Sequence, residues 1–387
     1  MNLITDSAAL AAFCGRQQGT AYIAVDTEFM RERTYWPILC LVQVAGPEEA
    51  VAIDTLAPGL DLQPLLALMA DPATLKLFHA ARQDLEIFFH LMGTVPQPLF
   101  DTQIAAMVCG FGDSVSYETL VRKLAGAALD KASRFTDWSH RPLTERQITY
   151  ALGDVVHLRT VYERMLQRLA KNGRASWFGE EMAALADAAL YRAEPAEAWR
   201  RFKLRGRADS RFLAVLRALA AWRETAAQQR DLPRQRILRD EALVEIASHA
   251  PRSVEALART RGLAKGTAEG RLGREVLDAV AAGLADPDPP PAIQQKAQNP
   301  PGLGPLVELL RVLLKQRCED FEVAQKLVAS TDDLEAIAAD DAAPVPALAG
   351  WRRDIFGADA LALKHGTLAL TAGKNRIELV PLPEAGR

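Results

Sequence analysis

Two acids two positions apart, Asp26 and Glu28, follow a short β-leaning run, Tyr22-Ile-Ala-Val25. In an extended chain residues i and i+2 project to the same side, so both carboxylates face one point in space. Like charges held that close repel unless a cation lies between them. Hard oxygen donors of this kind suit Mg²⁺ or Mn²⁺. An Asp-x-Glu at a polar strand end is common, and by itself it decides nothing.

Three further acids add weight. Asp84 opens a helix after the apolar run Leu75–Phe78, and Asp101 follows Leu99-Phe100, where it equally suits the N-cap of a helix from Thr102. Asp154 lies four residues after Tyr150 inside a helical pattern, so the two side chains share a face. An acid on an apolar helical face is costly without a partner. Its neighbour Gly153 is a poor helix former, which fits a position where another backbone or a substrate comes close. Several carboxylates around two divalent ions make the two-metal arrangement for phosphodiester hydrolysis. One ion lowers the pKa of an attacking water and the other stabilises the leaving oxygen. The Tyr150 hydroxyl is placed to orient that water.

These residues need a scaffold. Short apolar runs at Ala21–Val25, Leu39–Ala45, Ala50–Ile53 and Leu75–Phe78 read as strands, with a Gly46-Pro47 turn between the second and third. Leu62–Met69 and Leu85, Phe88, Phe89 and Met92 carry helical spacing. The alternation predicts an α/β domain with a mixed sheet. Thr144-Glu-Arg-Gln147 is a capping-box signature that starts one long helix running toward Leu169 and stopped at Asn172-Gly173. A second helical stretch, Trp177–Ala193, leads away from the domain.

Beyond residue 200 strand signals almost vanish. Phe212–Arg230 and shorter helices up to Ala282 precede a run of prolines from Pro287 to Pro305, which reads as an extended linker. Past it, Leu309–Leu314 echoes Val215–Ala220, and Leu334–Ala338 echoes Leu243–Ala247. The pattern reads as a duplicated helical module whose second copy has diverged.

The 387 residues, 49% of them hydrophobic and 25% charged, provide for two or three cores and argue against wholesale disorder. Apolar runs stay well short of the ~20 residues of a membrane span, and the first residues do not read as a secretory signal. Cys14, Cys40, Cys109 and Cys318 are scattered without a Cys-x-x-Cys pair, which points away from zinc and disulfides and toward a reducing cytoplasm. The net charge of −3 divides into −6 over residues 1–190, +7 over 191–280 and −4 over 281–387. A basic block between acidic ones points to an anionic partner for the middle of the chain.

Asp26-Thr-Glu-Phe-Met-Arg-Glu-Arg-Thr-Tyr-Trp-Pro37 with Leu39-Cys-Leu-Val-Gln-Val44 closely resembles the first exonuclease motif of the ribonuclease D family. Phe78-His-Ala-Ala-Arg-Gln-Asp-Leu-Glu-Ile-Phe88 resembles the second, with Phe100-Asp-Thr-Gln-Ile-Ala105 behind it. Asp137-Trp-Ser-His-Arg-Pro-Leu-Thr-Glu-Arg-Gln147 with Tyr150-Ala-Leu-Gly-Asp-Val155 resembles the third. Trp199–Gly206 and the helices from Phe212 look like the helical HRDC domain of that family.

The resemblance implies a 3′→5′ exoribonuclease with four metal-binding acids and a tyrosine. It implies a ribonuclease H-like α/β exonuclease domain with a mixed sheet over 1–190 and an all-α HRDC domain over 200–284. A Pro-rich linker over 285–304 and a second, diverged all-α HRDC-like domain over 305–387 complete it. Carried over by position, Asp26, Glu28, Asp84 and Asp154 hold two Mg²⁺ or Mn²⁺ ions, and Tyr150 positions the nucleophile. Asp26 bridges both ions, Glu28 and Asp154 serve the one that holds the water, and Asp84 serves the other. His79 suits support of the second-motif acid from an outer shell and equally suits a satisfied core histidine, whereas His157 reads as structural. Phe29, Arg31, Arg33, Tyr35 and Trp36 are placed to stack on or steer a 3′-terminal nucleotide, although Phe29 and Trp36 equally suit core packing. Arg205, within the Arg-rich stretch from Arg200 to Arg211, suits contact with phosphates. The expected partner is RNA, transfer-RNA precursors foremost, acted on by a monomeric, cytoplasmic enzyme without a membrane segment. A DNA 3′→5′ exonuclease, or a nucleic-acid-binding scaffold with a silent site, are the competing readings.

Overall fold

The computed structural model describes residues 2–129, 136–204, 208–292, 302–374 and 376–383. They divide into two compact units. The first holds the chain up to Tyr191 except Met30–Ile38, together with the chain after residue 301; the second holds Met30–Ile38 and the chain from Arg192 to residue 292.

The first unit opens with β1 (Leu3–Ile4), α1 (Ser7–Gln17), β2 (Tyr22–Met30), β3 (Ile38–Ala45), β4 (Ala50–Ile53) and α2 (Gln63–Ala70). It continues with β5 (Leu75–Phe78), α3 (Arg82–Met92), β6 (Leu99–Asp101) and α4 (Thr102–Val108). Among the described residues these strands form one sheet in the order β1-β4-β3-β2-β5-β6. The β3–β4 pair is antiparallel, whereas β1–β4, β2–β5 and β5–β6 are parallel. This is the mixed sheet that the strand signals predict. One face packs on α1, α2 and α3 through Phe13, Leu65 and Phe88; the other packs through Leu77, Val155 and Met165.

β2 runs five residues past Val25, so Asp26 and Glu28 lie inside the strand and not beyond it. Acids are poor strand formers, which is why the sequence reads as ending there. The tertiary frame overrides that tendency, because β2 lies between β3 and β5.

After α5 (Tyr117–Leu120) comes the third-motif loop, followed by α6 (Glu145–Val156), α7 (Leu158–Asn172) and α8 (Ala175–Leu185). The capping box forms: Thr144 accepts from the Gln147 N–H, and the Gln147 side chain accepts from the Thr144 N–H at 3.0 Å. The single long helix expected from this point is two helices broken at His157, and Gly173 closes the second in the left-handed conformation.

In the second unit, α9 (Ser210–Arg230), α10 (Arg234–Ile237), α11 (Asp240–His249), α12 (Val254–Leu257), α13 (Lys265–Glu269) and α14 (Arg271–Leu284) enclose a core around Leu216, Leu243 and Val276. Here α14 approaches α9 so closely at Gly283 that a Cβ would lie 2.6 Å from the Val215 Cα. Only glycine fits there.

Most of the expected linker, residues 293–301, lies outside the described residues; from Leu303 the chain belongs to the first unit as α15 (Leu303–Asp320), α16 (Gln325–Val328), α17 (Thr331–Ala339), α18 (Gly350–Arg352) and α19 (Ala358–Lys364). The hairpin β7 (Leu368–Ala372) and β8 (Ile377–Pro381) follows, and it departs from the all-helical reading of this segment. Its strands are short and their outer residues exposed, so the period-2 signal is weak. This C-terminal segment docks on α7 and α8 through stacked aromatics: Trp177 and Trp351 lie 4.4 Å apart and 11° from parallel. The Arg174 and Arg352 guanidiniums cover the outer faces of the pair.

Candidate active site

The strand alternation brings Asp26 and Glu28 to one face of β2, where α6 delivers Asp154. Each of the three offers a carboxylate oxygen, and these oxygens lie within 4.8 Å of one another. Asp26 and Asp154 line a cavity of about 540 Å³ together with Tyr150, His79, Gln103 and Tyr117. Tyr150 and Asp154, four apart on α6, thus open into the same space. Asp84, in the first turn of α3, stands beside this group without belonging to it: its carboxylate accepts a hydrogen bond from the Thr27 hydroxyl.

Burial, together with the charges of Asp154, Asp84 and Glu28, holds the Asp26 carboxyl well above the ordinary carboxylate range. Burial and the charges of Asp154 and Asp84 push Glu28 up to about 8. Burial raises Asp84 to about 7, against the opposing Thr27 hydrogen bond. A set of mutually repelling oxygens gathered at one point, two of its acids lining a cavity, is the donor chemistry of a hard divalent cation, so the residues present fit the metal that the motifs imply.

Three devices hold this arrangement, none of them read from the sequence. Asp101 does cap α4, accepting from the N–H groups of Gln103 and Ile104. Its carboxylate also accepts from the N–H groups of Ala80 and Ala81, at 3.1 and 2.8 Å, which fixes the turn that launches α3 and hence Asp84. Ala80 sits at φ 62°, a strained position for a residue with a Cβ. Arg141 bolts the third-motif loop to the sheet. It forms a two-pronged pair with Asp54 at 2.8 and 2.7 Å and donates to the carbonyls of Cys40, Trp138 and His140. Trp138, buried in that loop, packs 6.1 Å from the Tyr150 ring.

The third device is Tyr117. Its hydroxyl donates to the Gly153 carbonyl at 3.1 Å, and the N–H groups of His157 and Leu158 face the Tyr117 hydroxyl oxygen. A side-chain oxygen has entered the helical ladder, a recognised cause of helix breaks. It separates α6 from α7 three residues after Asp154. Gly153 is not a point of close backbone approach: a Cβ there would meet only the Leu129 Cδ2, at 3.6 Å. What matters at this position is its carbonyl. With Tyr117→Phe, α6 and α7 are expected to merge by about one turn and shift Asp154. The expected cost is about tenfold in kcat with KM nearly unchanged, measured by steady-state hydrolysis.

The other expected residues distribute unevenly. His79 lines the cavity, its Nδ1 3.0 Å from the Thr102 hydroxyl, and burial lowers its pKa. His157 caps α6. Phe29 is half-buried at the end of β2. Arg31, Arg33 and Trp36 belong to the second unit, where Trp36 packs against a small core of Tyr35, Ala226, Ala227 and Ile237. Arg205 lies outside the described residues.

Residues 1–170 match the family model described as 3′-5′ exonuclease, and residues 212–280 match the HRDC domain. Ribonuclease D of Gluconacetobacter diazotrophicus is 52% identical over 98% of this chain and 96% of its own length. The chain belongs to the ribonuclease D family. Ribonuclease D of Granulibacter bethesdensis is 51% identical, again over 98% of this chain and 96% of its own. The crystal structure of Escherichia coli RNase D, an exoribonuclease involved in structured RNA processing, superposes with a TM-score of 0.77 at 31% identity. That match covers 94% of this chain and 98% of the other. Family membership makes this chain an enzyme of the 3′→5′ exoribonuclease type.

Proposed function

We propose that the chain removes nucleotides one at a time from RNA 3′ ends, releasing 5′-mononucleotides, with transfer-RNA precursors among its substrates. It works as a monomer in the cytoplasm. The observation that carries this reading is the meeting of three carboxylate oxygens within 4.8 Å, with Asp26 and Asp154 lining a cavity shared with Tyr150. Asp26, Glu28 and Asp154 hold the divalent ions, Mg²⁺ or Mn²⁺, with Asp84 serving from beside them. When bound, such a pair supplies a water of lowered pKa and positive charge for the leaving oxygen. Tyr150 orients the attacking water through its hydroxyl, and His79 lies on the same cavity wall. Phe29, Arg31, Arg33, Trp36 and Arg205 are the proposed substrate contacts away from the acids.

The segment after the linker is proposed as a second HRDC copy. In the first copy a helix of 21 residues precedes one of 4 and one of 10; after the linker the lengths are 18, 4 and 9. Among the described residues no helix is long and apolar enough to cross a membrane, and all four cysteines are buried thiols.

Time-resolved digestion of 5′-labelled RNA and a matched DNA, with and without chelator, tests the reading. The expected result is a ladder shortening from the 3′ end of RNA, mononucleotide products and no reaction under chelation. Equal digestion of DNA would make the enzyme a general 3′→5′ exonuclease. Tight RNA binding without nucleotide release would make it a silent scaffold.

A further inference from the structure

The second unit contains a pocket of about 350 Å³ whose lining includes Arg31, Tyr35, Arg201, Phe202, Arg223 and Arg234. Four guanidiniums face it against one lining carboxylate, Asp240. Behind it, buried Glu224 is taken up by the Tyr35 hydroxyl and by Arg234 Nε and Nη2 at 2.5 and 2.6 Å. Asp231 is occupied by the N–H groups of Tyr35 and Trp36, both at 3.0 Å. Counting Glu224, Asp231 and Asp240, four guanidiniums stand against three carboxylates.

Two of these cations are locked. Arg234 lies over the Tyr35 ring at 4.6 Å, and Arg223 lies over Phe202 at 5.3 Å. Arg223 is 95% buried; one Nη donates to the Leu238 carbonyl and to Asp240. Its Nε has no hydrogen-bond partner among the described residues. Arg31 and Arg201 are more exposed, and Arg201 reaches Glu224 only at 3.7 Å.

We propose that this pocket binds a phosphodiester group of the RNA backbone, a contact that rests on the exoribonuclease reading. Guanidiniums present forked donors suited to phosphate oxygens, and Arg31 and Arg201 are the exposed pair at this pocket. The chain also gives the pocket a particular wall: Arg31 lies three residues past Glu28 in the sequence. RNA held there is gripped by the segment that continues from the acid-bearing strand.

The test is direct binding of a long 3′-blocked RNA, read by fluorescence anisotropy across a salt series, with R31Q/R201Q protein beside the parent. The double variant is expected to bind about tenfold more weakly, with the salt slope reduced by about one, and R31K/R201K to recover part of the loss. On the parent, RNA is expected to shield Arg201 from guanidinium-specific phenylglyoxal labelling, a readout that needs no variant to fold. Unchanged affinity and slope in R31Q/R201Q, or labelling of Arg201 indifferent to RNA, overturns the proposal. Shielding by 5′-AMP or inorganic phosphate as strong as by RNA would assign the pocket to free phosphates and overturn it too. If the parent neither binds nor shortens RNA, the exoribonuclease reading falls first and this one with it.

Discussion

Asp154→Asn is expected to lower single-turnover RNA hydrolysis by about a thousandfold or more, roughly 4 kcal/mol of transition-state stabilisation. Affinity for RNA should stay within about twofold of the parent. The amide keeps the size of the side chain and its place on α6 but brings no negative charge to oxygens gathered within 4.8 Å. A second readout separates this from a folding defect. The Asp154 charge is the first electrostatic cause of the raised carboxyls at both Asp26 and Glu28. Removing it relieves repulsion, so the ion-free variant should melt at a higher temperature than the ion-free parent near neutral pH. A variant that trims RNA at nearly the parental rate removes Asp154 from the chemistry. One that melts lower shows that the acids do not repel as described.

The parts of this site that were legible in the sequence rest on period and local chemistry. Alternation alone put Asp26 and Glu28 on one face, and the four-residue step put Tyr150 beside Asp154, because side-chain direction follows from backbone geometry. Thr144 and Gln147 announced their helix through a local bond pattern. The supports were not legible, since each joins residues distant in sequence. Arg141 meets Asp54 across 87 positions, and Tyr117 meets Gly153 across 36. A lone tyrosine after a serine cap carries no sign that its hydroxyl will break a helix. Lys76 makes the same point in the fold. It sits fully buried in β5 with its ammonium donating to the carbonyls of Asp71, Thr74 and Gln97. In sequence it is only a charge interrupting an apolar run.

Removing divalent ions is expected to abolish hydrolysis and to leave a fold whose stability falls as pH rises. Glu28 goes from 4.5 to about 8 and Asp84 from 3.8 to about 7, and Asp26 is raised as well. For an acid whose folded-state pKa lies above its unfolded value, the folded state keeps its proton where the unfolded state has lost it. Below about pH 3 both states are protonated and the cluster costs little. Between about pH 4 and pH 8 the ion-free fold loses stability, until the folded carboxyls ionise and the full repulsion is present. Cation binding needs those same groups deprotonated, so its affinity climbs over the same window. The gain in melting temperature on adding Mg²⁺ or Mn²⁺ should therefore be small near pH 5 and reach several degrees near pH 8, at about 2–4 °C per kcal/mol. Differential scanning calorimetry at matched ionic strength measures it, with Ca²⁺-free chelated protein as the baseline. In E28Q protein the pH dependence should flatten, because the amide has no proton to lose. A thermal gain that is independent of pH, or equal in parent and E28Q, would mean that these carboxylates do not hold the ion.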